Sequence, residues 1–142
     1  MSPGAGPRAG LLLVNVFFSL LAVGFRGGGP IEVSLGQSFA LKPGQQAAIS
    51  SEKLVIRFVS VPEDSRCPKG EQCLVEGKAR VTLEISVGGA APLPVELGTS
   101  EGSREMDVAG FQLTLVSLEP FPASGRPIRA EDYLATLSVQ RL

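Results

Sequence analysis

Lys78–Val87 reads KARVTLEISV, and its apolar residues Ala79, Val81, Leu83, Ile85 and Val87 alternate without a break with Lys78, Arg80, Thr82, Glu84 and Ser86. A period of two puts one set on a buried face and the other in water, the pattern of a strand in an antiparallel sheet. Gly88-Gly89 ends the run. Upstream, Leu54–Val61 reads LVIRFVSV and is apolar on both parities except at Arg57 and Ser60, which suits a central strand covered on both sides. A buried short helix is the alternative for this run. Its Val and Ile content, and the Pro62 that closes it, favour the strand.

Outward from these two runs come shorter candidates: Ile31-Val33-Leu35, Phe39–Leu41, Ala47–Ile49, Leu93-Val95-Leu97, Phe111-Leu113-Leu115 and Tyr133-Ala135-Leu137-Val139. Turn residues separate them, notably Pro43-Gly44 and Ala109-Gly110. Seven to eight short strands without a ten-residue amphipathic helix predict an all-β domain. The reading is a single antiparallel β-sandwich over residues 31–142, Ig-like or of related Greek-key character. Its expected core is Val55, Ile56, Phe58 and Val59, then Val81, Leu83 and Ile85, with Leu113, Leu115, Leu137 and Val139 facing them. Two long loops remain, at 98–107 (GTSEGSREMD) and at 119–129 with three prolines.

The chain has 142 residues, one domain's worth, with 13 Lys and Arg against 14 Asp and Glu. That balance favours no nucleic-acid partner. The absence of His removes the commonest general base, every Ser-His or Cys-His pairing, and the imidazole ligands of most zinc and copper sites. Near the start, Leu11–Phe25 reads LLLVNVFFSLLAVGF between Arg8 and Arg26. As a helix it would span about 22 Å, short of a hydrocarbon core of about 30 Å. Ala22-Val23-Gly24 offers the small residues of a signal-peptidase site, so residues 1–24 read as a signal peptide and 25–30 as a Gly-rich spacer. A retained short anchor is the alternative, and only then does the chain keep a membrane contact. Both readings place the folded part outside the cytoplasm, secreted or periplasmic.

Both cysteines lie between the two strong strands, in PEDSRCPKGEQC at 62–73. In an exported chain with no third Cys, Cys67 and Cys73 are expected to form a disulfide. Closing so short a loop stabilises by only ~2.4 kcal/mol from chain entropy, so the bridge mainly holds a shape. The C-x5-C spacing lacks the helix-terminal geometry that activates a C-x-x-C redox pair. A closed zinc site needs four ligands, and no His is present to complete two thiolates. Glu63, Asp64, Glu71 and Glu76 could supply oxygens to calcium, but their spacing matches no EF-hand loop, and Arg66 and Lys69 stand among them. Glu119, Glu131 and Asp132 near Tyr133 are the remaining acid-base candidates. A chain without Trp offers little stacking surface for glycoside chemistry, so these read as solvated loop charges.

The ordered features Phe39, Leu41, Gly44 and Gln45, then Val61, Glu63 to Pro68, Cys73 and Gly77, then an A-x-V-x-L run, resemble a group of small uncharacterised exported bacterial proteins and lipoproteins with a D-S-R-C-P…C…G motif. Pro120-Phe121-Pro122, Pro127-Ile128 and Asp132-Tyr133-x-Ala135-Thr136-Leu137 are similar to their C-terminal segment. The resemblance implies a compact β domain outside the cytoplasm with a bridged loop, and carries no activity with it. Those proteins often have an aromatic residue soon after the second Cys, where this chain has Leu74-Val75-Glu76.

The function expected from these features is that of a non-enzymatic extracytoplasmic module, binding or structural, that presents the stapled loop to a protein or envelope component and needs no cofactor or metal. Asp64, Arg66 and Lys69 are its candidate binding residues. Arg66 has two readings: a bidentate grip on a partner's carboxylate, or an internal brace to Asp64 or Glu76. The alternative from another class is a small metal-dependent hydrolase using the loop carboxylates.

Overall fold

Val, Ile and Leu at alternate positions between Gly- and Pro-containing turns generate nine strands in the computed structural model, which describes Gly4 and residues 29–142. They are β1 (Ile31–Glu32), β2 (Phe39–Leu41), β3 (Gln46–Ile49), β4 (Leu54–Asp64), β5 (Ala79–Val87), β6 (Leu93–Gly98), β7 (Glu105–Val108), β8 (Phe111–Glu119) and β9 (Leu134–Arg141). Two single turns of 3₁₀ helix, Ser50–Glu52 and Ala130–Asp132, complete the elements. The expected signal peptide at 1–24, and residues 25–28 of the spacer, lie outside the described residues.

The strands form two facing sheets, β1-β3-β4-β5-β6 and β2-β9-β8-β7, so the protein is an all-β sandwich. From β3 onward each strand neighbours its successor within a sheet or across the β6–β7 corner, and β2 closes against β9. This is an up-and-down meander, and the expected Greek-key crossover is absent among the described strands. β1 also departs from a wholly antiparallel order, since it pairs parallel with β3 through Ile31↔Ala47 and Glu32↔Ala48. One stretch of chain thus serves both sheets: it leaves β3 after Val33, turns at Gly36, and joins β9 as β2.

The core lies between the sheets. Leu54, Ile56 and Phe58 of β4 and Val81, Leu83 and Ile85 of β5 face Leu113 and Leu115 of β8 and Leu137 and Val139 of β9, all of them buried. Val55 and Val59, expected in the core, lie half-buried on the outer face, so β4 is covered on one side only. Nor does Pro62 close this strand. β4 continues to Asp64 because register shifts between Phe58 and Ser60 and between Ser60 and Glu63 carry the proline past a position that would require its N–H.

The count exceeds seven to eight because β7 arises within the polar 98–107 stretch. Its partner is fixed by the Ala109-Gly110 turn, with φ of 52° and 85°, the two left-handed residues that a tight two-residue hairpin requires. The registers place the 65–78 and 99–104 loops and the 120–133 segment together at one end of the sandwich. We refer to this as the stapled end.

Candidate functional site

At the stapled end β4 runs out at Asp64, and the next residues turn the chain sharply. The Ser65 N–H donates to the Lys78 carbonyl at 2.8 Å, the Ser65 hydroxyl donates to the same oxygen at 3.0 Å, and the Lys78 N–H donates to the hydroxyl at 3.2 Å. Opposite them only glycine fits, because a Cβ on Gly77 would stand 1.5 Å from the Ser65 carbonyl oxygen. The D-S-R-C-P…C…G pattern thus has a local physical basis: Ser65 ties the neck of the loop and Gly77 lets the two backbones meet.

Arg66 is the one buried charged residue among those described, with a side chain 4% exposed against 9% for Asp64. Its Nε–H donates to Asp64 Oδ1 at 2.9 Å and Nη2 donates to Asp64 Oδ2 at 2.7 Å, a bidentate pair. Nη2 also donates to the Pro120 carbonyl at 2.8 Å and Nη1 to the Leu118 carbonyl at 2.7 Å. The Arg66 backbone N–H reaches Asp64 Oδ1 at 3.2 Å, and the Tyr133 hydroxyl donates to Asp64 Oδ2 at 3.0 Å. The clamp therefore joins the end of β4 in one sheet to the end of β8 and the start of β9 in the other.

Burial would raise the Asp64 pKa. The hydrogen bonds from Arg66 and Tyr133, with the Arg66 charge, outweigh that and hold the carboxyl below its usual value. Tyr133 responds in the opposite sense: burial first, then its hydrogen bond to the Asp64 carboxylate, push its hydroxyl up to about 12.

Next to the clamp, Cys67 and Cys73 form a disulfide with a Cα–Cα separation of 6.0 Å. The far side of the loop is tied to the 120–124 segment. The Lys69 N–H donates to the Pro122 carbonyl at 2.9 Å, and the Ser124 hydroxyl hydrogen-bonds the Glu71 carboxylate. Phe121 lies over the guanidinium, 4.9 Å from Cζ to ring centroid, with the Lys69 ammonium 5.7 Å from the same centroid. Of the three expected binding residues, Asp64 and Arg66 spend their polar atoms on each other and on the two carbonyls, which is the internal brace. Lys69 remains exposed.

Among its exposed polar and charged residues the loop also turns an apolar pair outward. Leu74 is 105% exposed and Val75 79%, the two highest values among the large exposed hydrophobic residues, and they are adjacent. Phe121 is also exposed. In the sequence Leu74-Val75 stand out only as the place of a missing aromatic; their exposure is a finding of the fold. Behind the loop lies an open groove of about 680 Å³, lined by Arg66, Glu76, Glu101, Arg104, Leu118 and Phe121 among others.

The carboxylates considered for metal or acid-base chemistry are dispersed. Glu63 pairs with Arg80 at 2.8 Å and Glu131 with Arg129 at 2.6 Å, while Asp64 belongs to the clamp and Glu71 to Ser124. Among the described residues no group of three or more Cys, Asp or Glu gathers as a cation would require. Compared with protein-family models, with curated proteins and with solved structures, the chain matches none.

Proposed function

We propose that the protein is a non-enzymatic module of an extracytoplasmic compartment, which holds a disulfide-stapled loop out from a β-sandwich so that the loop's exposed apolar pair meets a partner. The observation that carries this reading is the adjacent pair Leu74-Val75, fully turned to solvent on a loop whose base is fixed by a buried ion pair, a disulfide and the Ser65–Gly77 neck. Apolar side chains left exposed on a loop held at its base contribute little to stability and are available for recognition. A disulfide suits an oxidising compartment. The apolar N-terminal run supports export, residues 1–24 serving either as a cleaved signal or as part of a retained short anchor, and the D-S-R-C-P…C…G likeness to small exported bacterial proteins belongs to the same reading.

The test is photo-crosslinking in the native host, with a photoreactive residue at Leu74 and, as a control, at Ala90 in the β5–β6 turn of the opposite end. A discrete adduct at position 74 and none at 90 is expected. No adduct to protein or lipid at either position would refute a binding role for the loop.

A further inference from the structure

The path of the chain narrows the choice of partner. β1 runs parallel to β3, with Ile31 beside Ala47, and β3 in turn places Ala47 beside Ile56 of β4. The chain therefore comes into the sandwich from the stapled end. Beyond the level of Ile31, β4 continues by eight residues (Ile56 to Asp64) and β5 by six (Ile85 to Ala79). At about 3.3 Å per residue this is about 20–26 Å of sheet leading to the loop.

Residues 26–30, RGGGP, connect Ile31 to Phe25, the last residue of the apolar run Leu11–Phe25. Six extended Cα steps reach about 20 Å. The end of the apolar run and the stapled loop can thus stand at the same height along the sandwich axis. At that end of the sandwich the loop exposes Leu74 and Val75, and Phe121 is exposed with the Lys69 ammonium 5.7 Å from its ring centroid. Exposed alkyl side chains, an exposed aromatic ring and a long cationic side chain at one end of a domain suit a bilayer interface, where the first enter the acyl region and the ammonium reaches headgroup phosphates.

We infer that Leu74-Val75 is a membrane-contact prong: with residues 11–25 seated in a bilayer, the stapled loop dips into the phospholipid interface of that same bilayer and fixes the orientation of the domain. The inference rests on the reading of the stapled loop as the binding surface and gives that surface its partner.

The chain contains no Trp, so one introduced Trp reports on its surroundings without background. Full-length Leu74→Trp and Ala90→Trp, both at exposed positions, would be reconstituted in vesicles of phosphatidylethanolamine and phosphatidylglycerol with and without acyl-chain bromination. Emission from Leu74→Trp is expected to move to shorter wavelength and to be quenched by the brominated lipid, while Ala90→Trp does neither. Equal quenching at both positions would overturn the inference, since the domain would then lie without a preferred end. No quenching at position 74, together with a protein adduct in the crosslinking experiment, would overturn the membrane partner and leave the binding module standing. No quenching and no adduct would overturn both.

Discussion

Replacing Asp64 by Ala should cost far more than replacing an exposed carboxylate, and the clamp geometry sets the size. The substitution removes the acceptor of the Arg66 Nε–H, of one Nη2 bond and of the Arg66 backbone N–H, and leaves the Tyr133 hydroxyl without its partner. The guanidinium stays buried with only the Leu118 and Pro120 carbonyls to meet it. Stranding one member of a buried pair costs about 3–5 kcal/mol. For a domain of this size that corresponds to a fall in Tm of about 10–20 °C.

Urea and thermal unfolding of Asp64→Ala, Arg66→Met and the double variant would measure it. The double variant should be more stable than Asp64→Ala alone, because it buries no unpaired charge. Glu131→Ala serves as the exposed control and should change stability by less than about 0.5 kcal/mol. A loss in Asp64→Ala below about 1 kcal/mol, or strictly additive single effects, would refute the clamp as described.

The clamp also fixes the pH response. Tyr133 is the only tyrosine, so tyrosinate absorbance titrates it alone. Its native midpoint should lie near 12 rather than near the ordinary value of about 10. The folded state holds that proton more tightly than the unfolded one, so stability intact below about pH 10 should decline from there to about pH 12. The depressed Asp64 acts at the other extreme: its contribution is present above about pH 3.9 and should be lost as pH falls below that, which acid unfolding of wild type against Asp64→Asn would follow.

Gly77→Ala should disrupt the loop neck, visible as a lowered Tm and as rapid proteolysis between Ser65 and Lys78; an unchanged melt would contradict the close approach. Cys67→Ser/Cys73→Ser should lower stability by about 2 kcal/mol without unfolding the sandwich, since the bridge closes only a short loop. Intact mass of host-derived protein should be two units below its reduced form. Recovery without residues 1–24 would establish cleavage and remove the tether that a membrane contact of the loop requires.

β5 was legible because its alternation is complete and each parity met the environment it suited. β4 was harder. Both of its parities are apolar, yet no element among the described residues covers its outer face, and no sequence window tells how many layers a sheet will have. β7 was missed because Glu105-Met106-Asp107-Val108 carries a loop-like composition, and it becomes a strand only because the Ala109-Gly110 turn folds it onto β8. The pairing of Arg66 with Asp64 was available as one of two alternatives, since the residues are two apart. Its remaining partners were not, because Tyr133 stands 69 residues from Asp64 and the Leu118 carbonyl 52 from Arg66, and nothing local marks such meetings. The outward turn of Leu74-Val75 was not legible for a related reason: two apolar residues in a short loop carry no periodicity that says which way they face.

The meander has a temporal consequence. β3 through β6 can pair as each emerges, each with a partner close in sequence, and so can β7 through β9. β2 is different: Phe39 pairs with Leu137, so a strand made early has no partner in its own sheet until the last strand appears. During synthesis, the Phe39–Leu41 segment remains an unpaired edge, and the sandwich stays open along that side until β9 has emerged. The sandwich therefore closes along that side only once residues 134–141 are free to fold back onto Phe39–Leu41.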